Sequence, residues 1–317
     1  MTRQARTLAV LELTLAGALW GFGFIAAVWA LRGMGPLAVT GWRFALAVAA
    51  GFIFAAFNKK FRADLNGKTF WLAAIPGLLI SATLVLQTYG LRYTTATKSG
   101  FITTLYVLIV PVLEMVFFKR RLPRYHFVYV LLALLGVALI CDIPGALTGA
   151  ITGENARLNT GDFLTFLCAI AASAHILWFE VIKSKLPSAF AFNHFQSIWA
   201  GALPLGLSFV LEPWPAPKLA DLSLIGLAML GFGSTLIAFA LQVRAQKVIA
   251  PSLASLLFLL ESPFATLFAI FLLGETLRTA QWAGAGLILI AAAMSILFTK
   301  ESEEIFPSLT EEKNQAG

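Results

Sequence analysis

The chain has 317 residues, of which 59% are hydrophobic, 13% aromatic and 12% charged, and its mean hydropathy is +0.84. Soluble domains carry about twice that share of charge, so a water-covered globular domain is excluded. A net charge of +7 would suit a nucleic-acid binder, but the Lys and Arg residues fall between apolar blocks, where they set membrane topology; no nucleic-acid partner is expected.

Ten apolar blocks follow in chain order, at about 8–30, 36–57, 69–90, 97–118, 124–141, 160–181, 188–210, 221–243, 250–273 and 279–298. Each approaches the ~20 residues that a helix needs to cross a hydrocarbon core of ~30 Å. The fold class is therefore an all-α polytopic membrane protein with ten transmembrane helices. The first block follows Arg3 and Arg6, yet it is too long for a signal-peptide core, contains Glu12 and precedes nine more spans. It is expected to be a retained helix. Connections are short and leave no room for a soluble catalytic domain. The longest, 142–159, reads as a linker, and 299–317, with five Glu and two Lys, as a flexible cytoplasmic tail. Cys141 and Cys168 are too few for a disulfide framework or a zinc site and read as ordinary buried small residues.

With the N-terminus cytoplasmic, the cytoplasmic segments hold 16 Lys and Arg and the outer segments six; Arg43 lies within a span. That bias places both termini inside, and the membrane is expected to be a bacterial inner membrane. Shifting the chain by 155 residues without a gap lays Gln87 on Gln242, Leu105 on Leu260, Leu122 on Leu277 and Arg92 on Lys247, and the block boundaries coincide. Two five-helix repeats, 8–141 and 160–298, follow. Five is an odd number, so the second copy enters the membrane inverted, as in transporters that rock about a midplane site.

The first helical pair reads Trp20-Gly21-Phe22-Gly23-Phe24, then Pro36 and Arg43-Phe44. The third-to-fourth junction reads Gln87-Thr88-Tyr89-Gly90-Leu91-Arg92-Tyr93-Thr94-Thr95-Ala96. The ninth-to-tenth reads Leu260-Glu261-Ser262-Pro263, then Leu273-Gly274-Glu275-Thr276-Leu277 and Gln281-Trp282-Ala283-Gly284. Together these segments resemble the EamA-type exporters of the drug/metabolite transporter superfamily. The resemblance covers about 8–298 and implies efflux of small metabolites, commonly amino acids, their derivatives or toxic analogues. Two departures stand out. Ser262 separates Glu261 from Pro263, and Lys119-Arg120 stands where the second half has Gly274-Glu275, so that turn is expected to be unduplicated.

Ionisable side chains inside a span are costly unless paired or wetted. Glu261 lies ~16 Å into its block, near the midplane, beside a proline that disturbs the preceding turn. It is a candidate for substrate binding and proton coupling, or else a hydrogen-bonded structural acid. Tyr106 is its repeat equivalent, and Thr103, Tyr106, Val110 and Glu114 share one helical face. Tyr106 can offer a ring and a hydroxyl; Glu114 sits near a helix end and can reach Lys119 or Arg120. Arg43, ~10 Å below the outer surface, can fork onto a substrate carboxylate or fix the first helical pair. Trp20 and His175 are repeat equivalents; the first can wall a cavity, and the second can carry a proton or bond as a neutral imidazole. Trp178, Gln87 and Gln242 complete the cavity-lining candidates. Asn193, His194 and Gln196 make the seventh block polar, for lining or for helix contact. Gly17, Gly21 and Gly23 read as close-packing positions.

No phosphate-loop, H-E-x-x-H or G-x-S-x-G pattern occurs, and His126, His175 and His194 lack metal spacing. An ATPase subunit, metal and cofactor are not implied. The expected partners are a small-molecule substrate and membrane lipids, with the chain as monomer or homodimer. The expectation is a non-enzymatic secondary exporter of small metabolites. A broad drug exporter, a channel and an integral-membrane enzyme are the rivals.

Overall fold

The structure, a computed structural model, describes residues 3–119, 124–140, 159–186, 188–214, 221–249 and 251–305. Cys141, His126's side chain and nearly all of the 142–159 linker lie outside them. In chain order the helices are α1 (Arg3–Ala30), α2 (Pro36–Phe57), α3 (Lys59–Asp64), α4 (Gly67–Leu72), α5 (Ala74–Gly90), α6 (Ala96–Thr103), α7 (Tyr106–Phe118) and α8 (Arg124–Ile140). Then come α9 (Thr160–Ile182), α10 (Ala189–Leu211), α11 (Leu222–Ala228), a π-helical segment (Met229–Ile237), α12 (Ala238–Gln246), α13 (Pro251–Phe258), α14 (Glu261–Leu273) and α15 (Thr279–Ile305). No strand occurs among the described residues. The last helix continues through Ile305, past the block boundary at 298.

Local chemistry accounts for the helix starts. Pro36 opens α2, where a missing N–H costs nothing. The Thr95 hydroxyl accepts from the Lys98 N–H at the start of α6. Asn159 and Asp162 form a reciprocal capping box on α9. Two further starts are capped from distant sequence: Glu212 accepts from the backbone N–H groups of Leu37 and Ala38, both at 2.8 Å, and Glu275 accepts from Ala96 N at 3.1 Å and from the Thr97 hydroxyl at 2.5 Å. Carboxylates at helix N-termini face the positive end of the dipole.

The 155-residue period is built into the backbone. Helices α6, α7 and α8 begin at 96, 106 and 124, and α13, α14 and α15 at 251, 261 and 279. Lys119 (φ 53°) and Gly274 (φ 70°), one period apart, both end their helices in the left-handed conformation. The turn expected to be unduplicated is therefore present in both halves. A left-handed residue reverses the chain after each helix, and Lys119 adopts it although glycine does so more cheaply.

Among the described residues, five helical stretches are long and apolar enough to cross a membrane: Thr7–Ala30, Pro36–Phe57, Ala96–Phe118, Thr160–Lys185 and Leu222–Gln246. Shorter apolar helices are Ala74–Gly90, Phe127–Ile140, Glu261–Leu273 and Thr279–Ala291. The burial pattern is inside-out relative to a soluble protein. Leu11, Phe57, Val116, Phe117, Val210 and Phe271 are exposed, whereas Glu12, Arg43, Lys98, Glu114, Asp162 and Glu261 are buried. Polar groups that turn inward while apolar ones face out suit a lipid solvent. The chain is a multi-pass membrane protein.

Packing joins the two halves reciprocally. Helix α1 lies against α14 and against the α11–π–α12 stretch; α9 lies against α5 and the α6–α7 pair; α2 packs on α10 and α8 on α15. Buried pairs reinforce these contacts. Lys98 Nζ is 3.1 Å from Asp162, and Glu12 pairs with Arg244.

Candidate functional site

The midpoint of the bundle is where helices stop being regular. Between α6 and α7 the chain makes short i→i−3 bonds, Leu105 N to Ile102 O and Val107 N to Thr104 O. Between α13 and α14 the same bonds recur one period later, Leu260 N to Leu257 O and Ser262 N to Leu259 O. In the second half Pro263 has no N–H to continue the α pattern. In the first half no proline stands at that position; instead the Thr104 hydroxyl bonds the Phe101 carbonyl at 2.6 Å. Irregular backbone at membrane depth needs protein or a wetted cavity beside it.

Such a cavity is there, partly open and with a volume of about 70 Å³. Its wall is made of repeat mates: Trp20 with His175, Leu84 with Phe239, Gln87 with Gln242, Thr103 with Phe258, and Tyr106 with Glu261. Arg43, Thr83 and Ser234 also line it. The Tyr106 hydroxyl donates to Glu261 Oε2 at 3.5 Å across the two helix breaks. Gln87 Nε2 donates to the Thr103 hydroxyl at 3.4 Å, and that hydroxyl donates to Ser99 O. Trp20 Nε1 donates to Ser234 O at 3.1 Å, and its ring packs within 5.2 Å of Phe239 and 5.1 Å of Phe258.

Arg43 is buried, with Nε donating to the Thr235 hydroxyl at 2.9 Å and the guanidinium 5.9 Å from the Phe44 ring. His175 Nε2 meets Gln196 Oε1 at 3.1 Å. Gln242 Oε1 is buried without a hydrogen-bond partner among the described residues. Neither Arg43 nor Glu261 makes an ion pair among the described residues.

Of the nine candidates singled out in the sequence, Glu261, Tyr106, Trp20, His175, Thr103, Gln87, Gln242 and Arg43 meet at this cavity. Trp178 does not. It packs with Ala73, Phe179, Ile182, Phe192 and Val243 instead, because three residues past His175 falls short of a full turn and lies ~60° around the helix and ~4.5 Å along it. Glu114 is buried below Tyr106 on the same face and away from the lining. Phe239 and Phe258 were not singled out, although the 155-residue shift of Leu84 and Thr103 points to them. No group of three metal-ligating side chains occurs among the described residues.

Comparison with known proteins matches the EamA-like transporter family twice, over residues 7–141 and 159–297. The chain belongs to the EamA-like transporter family. An uncharacterized transporter of Archaeoglobus fulgidus is 30% identical over 90% of this chain and 85% of its own length. A second, from Buchnera aphidicola, is 26% identical over 80% and 81% respectively. A solved crystal structure at 20% identity superposes with a TM-score of 0.68, covering 94% of this chain and 99% of that one. The family assignment makes the chain a membrane transporter, and eight of its nine candidate site residues line the one cavity described above.

Proposed function

We propose that this transporter crosses the inner membrane ten times as two inverted five-helix repeats, with both termini in the cytoplasm. It exports small zwitterionic metabolites, amino acids or their derivatives, by alternating access. The 16 to six distribution of basic residues supports the orientation. The twofold family match, the repeated helix starts and the reciprocal packing support the inverted repeat.

One observation carries the substrate class. The cavity holds one buried guanidinium and one buried carboxylate, Arg43 and Glu261, and neither is ion-paired with another side chain among the described residues. Unpaired buried charges are costly. A ligand that brings both a carboxylate and an ammonium group neutralises both. Arg43 would fork onto the carboxylate and Glu261 would take the ammonium. Tyr106, Trp20, Phe239 and Phe258 form the wall for the cargo side chain, and Gln87 and Gln242 offer amides at its edges.

The test is untargeted profiling of the medium from cells producing the wild type, Glu261→Gln or no transporter. The expected result is enrichment of a few amino-acid-like compounds with the wild type alone. Enrichment of structurally unrelated cationic drugs instead, or an identical profile in all three cultures, refutes the reading.

A further inference from the structure

Behind the cavity wall lies a chain of buried amides that the cavity itself does not touch. Asn193 and Gln196 on α10 are 1% and 0% exposed and do not line the cavity. Their orientation can be deduced from one end. The backbone carbonyls of Thr235 and Leu236, in the π-helical segment, can only accept hydrogen bonds. Asn193 Nδ2 lies 3.1 Å from the first and 3.2 Å from the second. That turns Asn193 Oδ1 away from the π segment, where Gln196 Nε2 donates to it at 3.4 Å. Gln196 Oε1 is thereby an acceptor, and it sits 3.1 Å from His175 Nε2. A neutral imidazole satisfies that acceptor only if its proton is on Nε2. The other ring nitrogen, Nδ1, then carries a lone pair and has no partner among the described residues, on a side chain that lines the cavity.

We infer that Asn193 and Gln196 are positioning residues that hold His175 as its Nε2–H tautomer, so that Nδ1 is an acceptor for an N–H of the cargo. With the Glu261 carboxylate, the cavity then offers two acceptors to the same ammonium group. It therefore selects cargo with N–H donors over a quaternary ammonium, which has none. The proposal rests on the cavity being the substrate site; the tautomer lock stands on geometry alone. The same π segment anchors Arg43 through the Thr235 hydroxyl, so one irregular turn orients the groups for both ends of the cargo.

The experiment uses the full chain in nanodiscs, 15N-labelled at histidine, in a His126→Asn/His194→Asn background that leaves His175 as the sole signal. The 15N shifts distinguish a protonated ring nitrogen from one bearing a lone pair. The expected result is protonated Nε2 and unprotonated Nδ1 with Gln196, the same with Gln196→Glu, and a mixture with Gln196→Leu. A His175 protonated on Nδ1, or a tautomer indifferent to Gln196→Leu, overturns the lock.

Proteoliposome counterflow supplies the second readout, comparing a primary-ammonium amino acid with its N-trimethyl analogue. Gln196→Leu is expected to raise KM for the primary ammonium about tenfold, to leave kcat and the trimethyl analogue little changed, and to be rescued by Gln196→Glu. A locked tautomer with unaltered discrimination overturns the role in selectivity. A locked tautomer in a wild type that carries no amino acid at all refutes the cargo reading, and with it the recognition role, while the lock survives.

Discussion

Gly17 and Gly21 stand one turn apart on the face of α1 that packs against α14, and adding a methyl group to each should have opposite consequences. A Cβ on Gly21 would lie 2.6 Å from Phe264 Cβ, 2.8 Å from Ala265 N and 2.8 Å from the Glu261 carbonyl oxygen. A Cβ on Gly17 would meet its nearest neighbour, Glu261 N, at 3.5 Å, an ordinary contact. Since packed atoms prefer ~3.5–4.0 Å, Gly21→Ala must push α14 outward by roughly 1 Å, and two of the three clashes are with backbone that cannot turn aside. Overpacking of this kind costs about 1–3 kcal/mol, a factor of roughly five to 150 in the population of the native packing. The displaced element begins with Glu261, so transport should fall further than folded yield. Gly17→Ala should be neutral or slightly stabilising, because alanine favours a helix by up to ~1 kcal/mol over glycine. The assay is thermal unfolding in detergent beside initial transport rates in proteoliposomes. Equal behaviour of the two variants would refute the close approach of α1 and α14.

Three other perturbations follow from the same structure. Lys98→Met takes the cation from the buried Asp162 carboxylate, and removing one partner of a buried pair costs up to about 3–5 kcal/mol; thermal midpoints should show Lys98→Met/Asp162→Asn, which drops the charge but keeps an oxygen for the capping box, closer to wild type than Lys98→Met alone. Glu212→Ala and Glu275→Ala each remove a carboxylate that bonds two helix-start groups, and each should lower stability by about 1 kcal/mol in chemical or thermal unfolding. An unchanged midpoint in both would remove these caps from the account. Arg43→Lys keeps the charge but loses the fork; KM for carboxylate-bearing cargo should rise about tenfold, whereas an amine lacking the carboxylate should be carried as before.

The site was legible in the sequence where two constraints overlapped. Membrane depth made Arg43, Glu261 and His175 costly to explain away, and the 155-residue period paired Tyr106 with Glu261 and Trp20 with His175; all five reach one cavity. Trp178 was misplaced because helical spacing alone cannot separate a lining residue from one ~60° around the same helix. The break beside Pro263 announced itself, but its counterpart before Tyr106 has no proline. There the repeated architecture and the Thr104 hydroxyl impose the same i→i−3 bonds on an otherwise ordinary helical stretch. Lys119 hid its turn for a related reason: tertiary context holds a lysine where propensity favours glycine. The caps by Glu212 and Glu275 join residues 174 to 179 positions apart, a distance at which no local pattern operates. Asn193 and Gln196 could equally have lined the cavity or tied helices together, and only the π segment, which no composition rule reveals, decides for the second.

The central claim is that the cavity between Arg43 and Glu261 carries zwitterions across the membrane in alternation. Counterflow tests it most directly: the purified full chain in proteoliposomes preloaded with an unlabelled amino acid, with labelled amino acid outside. The account predicts saturable uptake that is accelerated by the internal load and abolished when Arg43→Ala and Glu261→Gln are combined. Uptake that never saturates and ignores the internal load would identify a pore, and an undiminished rate in the double variant would place the pathway elsewhere.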